Sequence, residues 1–106
     1  MKRNPIQISQ VEIIPFRPRD GHLGFATLVI NDSIWIGDLA IFSRTEGGVR
    51  IGFPKKKLQN GTIVDICKPV NQETENLIEQ AILEKYESLL NGDGMKKEGS
   101  DGIGKR

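Results

Sequence analysis

A chain of 106 residues, 37% of them apolar, has room for one domain with one modest core, and a core that small gains from a partner subunit. A single cysteine, Cys67, excludes an internal disulfide, and with a single histidine, His22, it leaves too few ligands for a metal centre. A formal net charge of +1 imposes no global field, the longest apolar run, Leu39 to Phe42, is far short of the roughly 20 residues that cross a bilayer, and "MKRNPIQISQ" lacks the apolar stretch of a secretion signal, so the expectation is a cytoplasmic protein with no membrane partner.

In chain order, β-branched and aromatic runs alternate with turn signals from Ile6 to Val70, the pattern of an antiparallel meander. The first strand is expected over Ile6 to Ile14, closed by Pro15, with "FRPRDGHLG" as a polar loop broken by Pro18 and Asp20-Gly21. Phe25 to Ile30 and Ile34 to Phe42 form the next two strands. Asn31, Asp32 and Ser33 join them in a tight hairpin, because Asn and Asp tolerate left-handed backbone. Gly48 to Phe53 is a fourth strand and Thr62 to Val70 a fifth, with the basic segment "PKKKLQNG" looping between them.

The next element is helical. Asn71 is placed to cap a helix from Gln72 onward, and Glu73 and Glu75 suit the positive end of its dipole. Ile78, Ala81, Ile82, Tyr86, Leu89 and Leu90 recur at spacings of three and four, a stripe that needs one face of a sheet to cover, and Gly92 is placed to end it. The fold class expected is therefore α+β, an antiparallel sheet of about five strands followed by a C-terminal amphipathic helix. One domain spans 1–91, and 92–106, rich in glycine and without periodicity, is expected to be a flexible tail.

Charge is unevenly distributed along this plan. From Met1 to Val70 ten Lys and Arg face six Asp and Glu, whereas from Asn71 to Met95 one lysine faces six acids. An anionic partner is steered toward the sheet and its loops. The sharpest feature there is Lys55, Lys56 and Lys57, stiffened at the entry by Pro54 and at the exit by Asn60-Gly61. Three lysines can solubilise a hairpin or discourage edge pairing, or they can meet phosphates. Three contacts per subunit, doubled in a dimer, give a log-log salt slope near about −5 on duplex DNA. Arg50 and Lys68 extend this patch if their side chains share its face.

Other constellations are thinner. His22 and Cys67 lack a third orienting group, so a loop histidine and a small strand thiol are the expected roles. Asp38 and Asp65 sit among apolar residues without a neighbouring base, and are expected to satisfy backbone amides at strand bends rather than to do acid-base chemistry. Trp35 reads as core or subunit-interface packing, and "NGDG" and "EGG" are turns, not phosphate cradles.

Three segments carry a resemblance: "GFATLVINDSIWIGDLAIF", "GGVRIGFPKKK" and "NGTIVDICKPVNQETENLIEQAILEKY". As an ordered series from about Val11 to Tyr86 they resemble the stage V sporulation protein G (SpoVG) family of septation regulators. The resemblance implies a small α+β homodimer that binds DNA and RNA in bacterial cytoplasm and influences gene expression linked to sporulation, septation or envelope traits, with no cofactor, small-molecule substrate or enzymatic step. The alternative it leaves is a protein-protein interaction module of the septation machinery, with nucleic-acid binding incidental. Departures from the family pattern stand at Gly37, Ala40 and Glu75, where polar or basic residues are frequent, and at Lys57, where the forked guanidinium of an arginine is usual. They imply binding that has moved from the helix toward the sheet loops, or binding that is weaker than the family's.

Overall fold

The chain described by the computed structural model runs over residues 6–91, so the expected tail and the expected helix terminator Gly92 lie outside the described residues. Six strands and one helix follow in order: β1 (Ile8–Arg19), β2 (His22–Ile30), β3 (Ile34–Ser43), β4 (Val49–Gly52), β5 (Lys55–Lys57), β6 (Ile63–Asp65) and α1 (Gln72–Leu90). The first four form an antiparallel sheet in the order β1-β2-β3-β4, and β5 and β6 form a separate two-stranded ribbon. The α+β class is as the sequence predicts, but the expected five-strand meander is divided. The strand expected over Thr62 to Val70 is short, and it pairs with the lysines instead of joining the main sheet.

The first hairpin also differs from expectation. "FRPRDGHLG" is strand except at Asp20 and Gly21, with a register irregularity between Pro15 and Arg19; Asp20 and Gly21 turn with φ of 54° and 84°, the left-handed pair that a two-residue hairpin requires. Pro15 and Pro18 do not break β1, because it is an edge strand on which a missing N–H need not cost a ladder bond. The turn at Asn31 and Asp32 forms as predicted, with φ of 53° at both.

Two bulges decide which side chains reach the core. Ile8 and Val11 are an odd number of residues apart and would fall on opposite faces of a regular strand. An irregularity between Ser9 and Glu12, with Gln10 at φ 50°, turns both toward the core. A second, opposite Thr27 with Asp38 at φ 60°, does the same for Ile36 and Leu39.

The resulting core holds Ala26, Leu28, Leu39, Ile41, Val49 and Ile51 from one sheet face and Ile78 and Ile82 from the helix. The Thr74 amide donates to Asn71 Oδ1 (2.8 Å), so the predicted N-cap is in place. Arg44 Nη2 donates to both carboxylate oxygens of Glu79 (3.1 Å each), tying the end of β3 to the helix. The apolar stripe is shorter than predicted, since Leu90 is exposed and Asn91 closes the last turn.

Candidate nucleic-acid interface

Lys55, Lys56 and Lys57 are a strand, not the loop the sequence suggests. The register sets Lys55 opposite Asp65, Lys56 opposite Val64 and Lys57 opposite Ile63. The far end turns through Leu58 to Gly61. There the Gly61 amide donates to Leu58 O (2.9 Å), the Thr62 amide to Asn60 Oδ1 (2.9 Å) and the Leu58 amide to Thr62 O (2.7 Å), and Gly61 adopts φ 90°. At the near end the Ile66 amide donates to Pro54 O (3.1 Å). Pro54 and Asn60-Gly61 thus bracket the segment where the sequence places them.

Alternation along the strand splits the cluster: Lys55 and Lys57 share a face with Asp65 and Ile63, and Lys56 shares the other with Val64. Asp65 then divides it again. Lys55 Nζ donates to Asp65 Oδ1 (2.5 Å), and Lys68 Nζ lies 3.0 Å from Oδ2. The hydrogen bond from Lys55, and after it that from Lys68, holds the Asp65 carboxyl below its ordinary range. Asp65 therefore binds two lysines, not backbone amides as expected. Among the described residues, Lys56 and Lys57 are exposed and form no ion pair.

Arg50, Lys55 and Lys68 do come together, as three cations around one open cleft of about 300 Å³ at the free edge of β4, with Asp65 and Glu75 as the opposing carboxylates. Arg50 points to the sheet face away from the helix and lies over the ring of Phe42, 4.5 Å from its centroid.

That face carries a group that sequence reasoning missed. His22 is not a loop residue: it is the first residue of β2, stacked on Phe42 with centroids 4.7 Å apart and rings inclined by 24°. Phe16 meets His22 edge-on at 4.7 Å, and Phe25 closes against both. Phe16, His22, Phe42 and Arg50 thus form a row across all four strands. His22 Nε2 is closed off from solvent with no hydrogen-bond partner. Trp35, expected in the core or at a subunit interface, is 66% exposed in the single chain and so lies outside its core, its indole lying over Gly37, where an added Cβ would sit 2.5 Å from the ring. The signal for the row was Asp20-Gly21, a hairpin dipeptide that turns the chain between Phe16 and His22.

No helix of the described residues is long and apolar enough to cross a membrane. The described residues contain no group of three or more His, Cys, Asp or Glu placed to hold a metal ion.

The SpoVG family model matches residues 6–88. Over 86 residues the chain is 34% identical to the "Putative septation protein SpoVG" of Phytoplasma australiense, covering 81% of this chain and 88% of that protein. Proteins of the same name from Bdellovibrio bacteriovorus (29% over 89 residues, 84% of this chain and 81% of that protein) and Caldicellulosiruptor bescii (26% over 85 residues, 80% and 96%) are similar along the same length.

Proposed function

The chain belongs to the SpoVG family, and from that footing we propose that it is a bacterial regulatory protein that binds DNA or RNA through the phosphates, with the β5–β6 ribbon as its main contact. The observation that carries this reading is the pair Lys56 and Lys57, held on a defined strand and unpaired among the described residues. Lys55 and Lys68 stand beside them on Asp65, and Arg50 borders the same cleft. Asp65 occupies Lys55 and Lys68, so Lys56 and Lys57 are the ribbon cations open to a phosphate.

The protein acts as a cytoplasmic homodimer that adjusts gene expression tied to septation, sporulation or the envelope, and it performs no catalytic step. Support for a second subunit comes from apolar side chains that one chain leaves in water: Val70 is 88% exposed, and Ile63, Ile66 and Ile34 are each more than half exposed. Those side chains, and the septation name its relatives carry, also favour the second reading, a protein-interaction module of the septation machinery.

Salt-dependent binding of matched duplex DNA decides between them. Replacing Lys56 and Lys57 by glutamine is expected to leave the fold intact and to flatten the log-log salt slope by about 0.9 per lost contact. An unchanged slope rejects the ribbon as the contact. Partner capture that survives nuclease and high salt favours the interaction module.

A further inference from the structure

Four-stranded antiparallel sheets with a helix on one face and aromatic rings on the other suit unpaired nucleobases, because every base has a π-face and an aromatic or guanidinium plane accepts it. In the row Phe16, His22, Phe42 and Arg50 the inner groups cover one another, His22 stacked on Phe42 at 4.7 Å and Arg50 over Phe42 at 4.5 Å, so the plane left to a base is that of Phe16 at the exposed β1 end. Beside its β1 end the hairpin opens a depression of about 520 Å³ lined by Phe16, Arg17, Pro18, Arg19 and His22, within the range of small-ligand sites. Arg17 and Arg19 are exposed there and form no ion pair among the described residues. Pro15 and Pro18 leave this edge short of main-chain donors, so an occupant is recognised by side chains and not by strand addition. An aromatic seat with two arginines free of carboxylates fits a base with its flanking phosphates better than a peptide.

We propose that the β1 end of the sheet face opposite the helix seats single-stranded nucleic acid, with an unpaired base on Phe16 and phosphates meeting Arg17 and Arg19. This rests on the nucleic-acid reading above and adds strandedness to it: the ribbon takes phosphates of any polynucleotide, whereas a duplex keeps its bases stacked on one another and has none to offer the row.

His22 is the only histidine of the chain, so its Cε1 proton gives a single NMR line that reports occupancy of the row. The intact protein is titrated with oligothymidylate, with a DNA duplex and with inorganic polyphosphate. Oligothymidylate is expected to move the line saturably, and duplex and polyphosphate to leave it in place. Phe16→Leu, which keeps an apolar side chain on an exposed edge, is expected to weaken single-strand binding about fivefold or more and duplex binding less than twofold. The double variant Arg17→Gln/Arg19→Gln flattens the single-strand salt slope by about 1.4.

A strand that binds at saturation without moving the His22 line overturns this site and leaves the ribbon standing, and equal movement by polyphosphate overturns base stacking. Movement on raising protein concentration alone marks the face as a subunit contact and also overturns it. If no nucleic acid binds the intact protein, both readings fall together.

Discussion

Asp65 is the single carboxylate that the ribbon sets against its own lysines, so removing its charge is the most direct way to test what they do. Asp65→Asn keeps the size of the side chain and its place opposite Lys55, but it no longer holds Lys55 and Lys68 by charge. Two ammonium groups then become available to phosphate beside Lys56 and Lys57. Each phosphate neutralised on duplex DNA steepens the log-log salt dependence by about 0.9. If contacts have no ionic worth near 1 M salt, release of one lysine tightens binding about eightfold at roughly 0.1 M, and release of both about sixtyfold. Fluorescence anisotropy on one labelled duplex across a salt series reads both the affinity and the slope. Asp32→Asn, on the β2–β3 turn and in no ion pair among the described residues, makes the same change in net charge and is expected to leave the slope alone. A folded Asp65→Asn protein with an unchanged slope, or with weaker binding, would show that the ribbon lysines serve the fold and not a polyanion.

The remaining expectations concern the same ion triad and the platform behind it. Because Lys55 and Lys68 depress the Asp65 pKa from 3.8, its contribution to stability is fully present above that value and is lost as pH falls through the lower folded one. A carboxyl-carbon NMR titration should place the midpoint below 3.8, and a midpoint at or above it would refute the triad. Ile82→Ala removes a side chain with no exposed surface from the helix-sheet contact and should cost about 2–5 kcal/mol in denaturant unfolding; a loss under about 1 kcal/mol would mean the helix does not pack as described. Gly24→Ala puts a Cβ 2.5 Å from Ile14 O at φ 154°, so it should cost about 1–3 kcal/mol, and wild-type stability would contradict the β1–β2 register.

What the sequence made legible was local chemistry. The Asn71 cap, the Asn31-Asp32 turn and the bracketing of the basic segment by Pro54 and Asn60-Gly61 each depend on a few adjacent residues, and each forms as read. What it hid depends on pairing. Lysine has a poor strand propensity, so "KKK" read as loop; its strand exists because Ile63 to Asp65 lies opposite and the register offers Lys55 a carboxylate. Pro15 read as a stop because nothing in one sequence says that its strand lies at an edge. The bulges near Gln10 and Asp38 break the period of two that pattern reading relies on. The aromatic row was least accessible, since residues 16, 22, 42 and 50 become neighbours only after four strands have found their register.

Charge placement adds a constraint that neither the ribbon nor the row imposes alone. Five glutamates against Lys85 lie on α1, which covers one face of the sheet, so a polyanion is turned away from that side and toward the opposite face. The cations of the strands and the ribbon are not continuous. Arg17 and Arg19 stand at the β1–β2 turn and Lys56 and Lys57 on the ribbon, while the cleft between Arg50, Lys55 and Lys68 holds Asp65 and Glu75 as well, three positive charges against two negative. A phosphate gains little in that cleft while Asp65 holds its lysines, and Arg50 is already laid over Phe42. The cleft is better suited to joining two contacts than to being one.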